Sequence, residues 1–135
     1  MIQRLSHSSV YVLDQDAAKQ FYTEKLGFEV RNDARLGGFR WLTVSPKGQA
    51  NFELVLMPLN PGPMMDAETA ATLRGLVERG TFGGGVLETA DCRKTYDELK
   101  AKGVEFLSEP QERPYGVEAV LRDDSGNWFS LTQRR

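Results

Sequence analysis

The sequence predicts an α+β fold of two tandem strand-helix-strand-strand-strand (βαβββ) modules, residues 1–57 and 81–135, within a single domain spanning 1–135. A connector with an extra helix, 58–80, joins them. Three observations carry this expectation. The same order of hydrophobic patterns occurs twice, equivalent positions keep a fixed spacing, and a proline-rich break separates the copies. Asp14 and Asp91, Val10 and Leu87, and Leu54 and Leu131 each stand 77 residues apart. Self-similarity at a constant period is the mark of a repeated structural unit.

The first module opens with Leu5–Leu13, where Val10 and Val12 alternate with His7, Ser9 and Tyr11 as a strand requires. Asp14 or Asp16 then supplies a carboxylate to accept from free helix N–H groups. Ala17, Ala18, Phe21, Tyr22 and Lys25 or Leu26 recur at helical spacing, and Gly27 ends the helix. Phe28–Val30, Phe39–Val44 and Asn51–Met57 follow as strands, with turns at Gly37-Gly38 and Pro46-Lys47-Gly48. In the second module Gly84–Thr89 is a strand and Asp91 a cap. Thr95, Tyr96 and Leu99 stripe the helix Cys92–Lys102, and Gly103 stops it. Gly103–Phe106, Val117–Arg122 and Trp128–Gln133 are the remaining strands. The helix-ending glycines differ by 76 rather than 77, a one-residue slip inside the helix or at its exit. Between the modules, Pro58, Pro61 and Pro63 prevent helix or sheet from continuing. Asp66 then caps an extra helix with the stripe Ala70, Leu73, Leu76 and Val77, stopped by Gly80. A ferredoxin-like βαββαβ order fits less well, because each helix here precedes three strand candidates.

Bulk properties narrow the function classes. A net charge of -2 with both signs interspersed leaves no basic stripe for nucleic acid. No apolar run is long enough to span a bilayer, and the N-terminus has no signal-peptide core, so a cytoplasmic location is expected. The lone Cys92 permits no internal disulfide. It sits beside a carboxylate that opposes thiolate formation, and packing is its expected role. Gly83-Gly84-Gly85 opens a strand, not a helix. It therefore lacks the helix N-terminus of a dinucleotide loop and points to close approach of backbone or ligand.

Specific motifs add a resemblance. His7, Val12-Leu13-Asp14, Ala17, Phe21-Tyr22 and Leu26-Gly27-Phe28 resemble the N-terminal signature of the glyoxalase/bleomycin resistance/dioxygenase (vicinal oxygen chelate) superfamily. Arg122-Asp123-Asp124-Ser125-Gly126-Asn127 resembles its late Asp-Pro-Asp-Gly-Asn turn, with Asp124 in place of proline. The resemblance implies two curled sheets around a cleft, and a homodimer. It places the four family metal positions at His7, Glu53, Gly84 and Ser130.

Those four positions do not make the family's ligand set. Glycine offers no donor atom, a neutral hydroxyl is a poor replacement for carboxylate, and His7 is the chain's single histidine. Catalytic zinc sites keep three protein ligands, and His7 with Glu53 makes two. No metal and no cofactor are therefore expected. His7 keeps three readings: a vestigial ligand, an acid-base group paired with Glu53, or a hydrogen-bonded structural residue. A carboxylate centred in Phe52-Glu53-Leu54-Val55-Leu56 requires a partner, a function or a wet cleft.

If Val10, Val12, Phe52, Leu54, Phe129 and Leu131 face the helices, the intervening residues face the cleft. His7, Tyr11, Trp41, Glu53, Glu88, Tyr115 and Trp128 are then the candidate ligand-binding residues, and Gly84 also points inward. Trp41 and Trp128 offer flat apolar rings, or alternatively pack where the halves meet. Tyr115, in a turn-rich stretch, either covers the cleft mouth or is a loop residue with an exposed hydroxyl. Met64 and Met65 in the connector either cover an edge of the core or pack adaptably over a ligand. The expected function is metal-independent binding of a small hydrophobic or aromatic molecule, of the sequestration type. The alternatives are a glyoxalase-like lyase or isomerase using Glu53 or His7 for proton transfer or an unconventional metal site, and a protein-interaction module.

Overall fold

The computed structural model describes residues 1–135. In chain order it contains β1 (His7–Val12), α1 (Gln15–Gln20, prolonged by a π-turn at Phe21–Lys25), β2 (Phe28–Leu36), β3 (Phe39–Pro46) and β4 (Glu53–Pro58). Then follow α2 (Ala67–Glu78), β5 (Gly83–Glu88), α3 (Cys92–Ala101), β6 (Phe106–Arg113), β7 (Gly116–Arg122) and β8 (Trp128–Arg134). Each module makes a four-stranded sheet, ordered β1-β4-β3-β2 and β5-β8-β7-β6. In both, the first pair is parallel and the others antiparallel.

The three predicted caps act as such. Asp14, Asp66 and Asp91 accept the backbone N–H of Ala17, Thr69 and Lys94 at 2.9, 2.8 and 3.0 Å, each satisfying one orphan donor of its helix. The one-residue slip between modules resolves inside α1. Its last turn widens so that Leu26 N–H donates to the Phe21 carbonyl, five residues back. A π-turn absorbs one extra residue without unwinding the helix.

Two strands depart from their hydrophobic patterns. β2 continues past Val30 to Leu36, and β6 is displaced from the expected Gly103–Phe106, sharing only Phe106 with it and running to Arg113 through Pro110. Both lie at sheet edges. An edge strand gains its ladder from one neighbour and needs no apolar alternation, and proline is tolerated where no N–H is required. Phe52 corrects the expected face assignment. β4 begins at Glu53, and Phe52 is half-buried outside the core cluster.

Eighteen buried apolar residues from both modules form one core. It joins Val10, Val12, Leu42, Val44, Leu54 and Leu56 to Ala119, Leu121, Phe129 and Leu131, with α1 and α3 residues among them. The helix-covered sides of the two sheets therefore share a core, and their opposite faces carry the polar candidates. Tyr22 in the π-turn crosses between modules. Its ring lies edge-on to Phe129 at 6.3 Å, and its hydroxyl donates to Asp123 at 2.6 Å. Burial and the neighbouring Asp123 carboxylate push that phenol well above its ordinary pKa, so it remains a donor. The 123–127 turn also reaches the first module, where Asn127 Nδ2 donates to Tyr11 O at 2.7 Å and Leu13 N–H to Ser125 Oγ at 2.9 Å. No helix is long and apolar enough to cross a membrane.

Candidate functional site

The first polar group stands at the start of β1 and β4, where His7 pairs opposite Glu53 in the parallel ladder. His7 Nε2 lies 3.7 Å from Glu53 Oε2, and its ring is 5.9 Å from that of Trp41 on β3, tilted by 47°. Ser6 Oγ and His7 Nδ1 are 2.8 Å apart. Glu53 Oε1 accepts from Thr43 Oγ1 at 2.6 Å and Asn32 Nδ2 at 3.0 Å. These bonds, the Thr43 hydroxyl's above all, hold its carboxyl below the usual range. A carboxylate so stabilised is a weaker proton acceptor, and 3.7 Å exceeds a hydrogen bond to His7. The arrangement suits a fixed anionic contact better than a catalytic base.

The second module presents a different group. On β7, Glu118 accepts from Tyr115 Oη and Ser130 Oγ, both at 2.5 Å, and Ser130 Oγ lies 2.6 Å from Thr132 Oγ1. The Ser130 hydroxyl, then that of Tyr115, keeps Glu118 below its ordinary pKa. Tyr115 occupies the β6–β7 turn and is about half exposed. Trp128 is 40% exposed at the start of β8, and Glu88 faces Arg134 at 3.3 Å on the rim.

Gly84 requires a correction. β5 bulges there, so that Gly83 pairs with Trp128 and Val86 with Ser130, leaving Gly84 without a partner. A β-carbon built on Gly84 would meet the Phe129 ring at 2.2 Å, and one on Gly83 the Trp128 ring at 2.6 Å. Phe129 belongs to the core, so Gly84 looks toward the core and not into the cleft. The glycine run is a bed for two aromatic rings on opposite faces of the strand.

Pairing also shifts the equivalence of the modules. Val10 lies opposite Leu56 and its counterpart Leu87 opposite Leu131, so β8 is displaced relative to β4 by two residues from the sequence-based alignment. The donor set the family's metal would need does not form. Ser130 is committed to Glu118, Gly84 faces the core, and no three His, Cys, Asp or Glu side chains converge anywhere in the molecule. The residues do not fit such an ion.

A wide concavity lies farther along the first sheet. About 860 Å³ in volume, it is floored by Ser9, Tyr11 and Met57, with the β2–β3 hairpin tip on one side and the connector on the other. Leu36 and Phe39 come from the hairpin, Met64 and Met65 from the connector. A turn closed by Gly62 N–H donating to Met65 O at 2.9 Å shapes the connector wall. Tyr11 is anchored by its backbone bond to Asn127 and by an edge contact with Phe82 at 6.2 Å.

Of the seven candidate residues, the structure brings His7, Glu53 and Trp41 together and places Tyr11 in the cavity. Glu88, Tyr115 and Trp128 stand on the other sheet. No hydrogen bond, ion pair or ring contact joins the two sets within one chain. Sequence reasoning read the Gly37-Gly38 turn and the strand after it but did not identify Arg35, Leu36, Phe39 or Arg40 as cavity residues. It left the connector methionines between edge packing and ligand contact, and both line the cavity.

Comparison with known proteins places this geometry. A 39% identical Bacillus subtilis (strain 168) protein, the uncharacterised YurT, aligns over 94% of this chain and 96% of its own. The crystal structure of UcmS2 superimposes with a TM-score of 0.95 at 56% identity, covering 98% of this chain and 99% of that one. TnmS3, an antibiotic binding protein from Streptomyces sp. CB03234, superimposes with a TM-score of 0.78 at 33% identity, covering 99% and 98%. The family model for the glyoxalase/bleomycin resistance protein/dioxygenase superfamily matches residues 4–131, and the chain belongs to that superfamily.

Proposed function

We propose that this protein binds and sequesters a small hydrophobic or aromatic molecule without a metal ion. The observation that carries this reading is the concavity of about 860 Å³ walled by Tyr11, Phe39, Met57, Met64 and Met65. That volume lies within the range of small-molecule sites, and aromatic and thioether side chains give a planar ligand large apolar contact. The likeness to TnmS3, an antibiotic binding protein, supports the same class of ligand. The protein acts as a homodimer in this reading. In a single chain the second sheet's outer face leaves Val86, Tyr115 and Trp128 exposed, and a second copy would cover it.

Thermal-shift screening against planar aromatic compounds tests the proposal. A ligand at 100 times its Kd should add about 2.7 kcal/mol of stability, and dialysis against chelator should leave that gain unchanged. If no such compound stabilises the protein, or if the gain needs a stoichiometric metal, the reading is wrong.

A further inference from the structure

The charges that line the cavity are all of one sign. Arg35 and Arg40 border it, and no Asp or Glu does. The two arginines face each other across the β2–β3 ladder, yet their situations differ. Arg40 is 9% exposed and already neutralised, with Asp33 taking Nε and Nη2 at 2.8 and 2.9 Å and Asp16 taking Nη1 at 2.6 Å. Arg35 is exposed and enters none of the molecule's ion pairs.

The carboxylates of the small hollow next door are engaged elsewhere. Asp14 accepts the Ala17 N–H at 2.9 Å, and Asp16 holds Arg40. The cavity therefore combines an apolar, aromatic and thioether lining with one uncompensated guanidinium at its hairpin side.

We infer that the cavity takes an aromatic ligand bearing an acidic group, such as a ring carboxylate, sulfonate or ionised phenol, whose oxyanion meets Arg35. This inference rests on the binding function proposed above and adds the charge of the ligand. A guanidinium presents its donors in a planar fork that matches such oxyanions. The aromatic body contributes affinity through buried apolar area, and the ion contact selects among bodies of the same shape.

Two probes with one ring skeleton separate the two contributions. 1-Anilinonaphthalene-8-sulfonate is anionic, and N-phenyl-1-naphthylamine is its neutral counterpart. Titrated calorimetrically at low salt, the anion should bind one site per chain about tenfold more tightly. Added salt should erode that advantage and leave the neutral probe unaffected. Arg35→Gln should bring the anion's affinity down to that of the neutral probe, and Arg35→Lys should keep part of the preference. Neutral-probe binding also reports that each variant is folded. Equal affinities for the two probes, or a preference that persists in Arg35→Gln, would overturn the charge inference and leave the aromatic cavity standing. Failure of both probes to bind would remove the cavity reading and this inference with it.

Discussion

A β-carbon at Gly84 would stand 2.2 Å from Phe129 Cζ, against a side chain whose residue is 2% exposed. Neither partner has room to move, because Phe129 also contacts Tyr22 across the module boundary. Gly84→Ala is expected to cost about 1–3 kcal/mol through overpacking, measured as a lower denaturant midpoint with unchanged slope. A midpoint equal to that of the parent would show that the ring is not seated on this glycine. At this scale the sequence was legible in its donors and acceptors but not in its directions. His7 and Glu53 stand 3.7 Å apart, a proximity their positions in the sequence could not show. The bulge that turns Gly84 toward the core leaves no trace in a count of alternating residues, since an unpaired residue inverts the faces after it.

The β2 arm of the β2–β3 hairpin runs well past its sequence pattern, and the hairpin carries a wall of the cavity. Its residues Arg31–Leu36 are exposed and half of them charged, so no apolar period marks them as strand. What holds them is the ladder to β3 together with Asp33, which accepts from Arg40 and, at 2.9 Å, from Lys19. The Arg40 guanidinium, then Lys19, holds the Asp33 carboxyl well below the usual carboxylate range. A depressed carboxyl pKa stabilises the folded state above the unfolded value near 3.8 and loses that contribution as pH falls toward the folded value. Asp33→Asn should therefore lower stability at pH 7 by about 2–4 kcal/mol, since it leaves the nearly buried Arg40 with the exposed Asp16 as its remaining ion partner. The variant's stability should also fall less steeply than the parent's below pH 4. Urea titrations at several pH values check both expectations, and parallel acid profiles would contradict the assignment. α1 shows the opposite case. Its cap, stripe and stop were all readable, and the 76-residue glycine spacing even announced the extra residue that the π-turn absorbs.

For the whole molecule, duplication was the most legible property, because repeated caps and glycines survive where contact residues diverge. The relative placement of the two sheets was not legible. It depends on the shared core and on the 123–127 turn, contacts between positions more than a hundred residues apart. With the helix-bearing sides packed together, the candidate residues fall on two outward faces, and the proposed homodimer would cover the second of them. Light scattering on the purified protein should give twice the mass of one chain, and Trp128→Asp should shift it to the single-chain value. A parent protein that is already monomeric at micromolar concentration would refute the dimer.

The 123–127 turn has a mechanical corollary. Because it grips the end of β1 through Tyr11 and Leu13 while Tyr22 is tied to Asp123, the halves have no free pivot between them. A guest too large for the resting cavity would have to gain its space from the Gly37-Gly38 hairpin tip and the Pro61–Met65 arch. Tolerance for bulk should accordingly be governed by two short surface segments, in a body that otherwise behaves as a rigid frame.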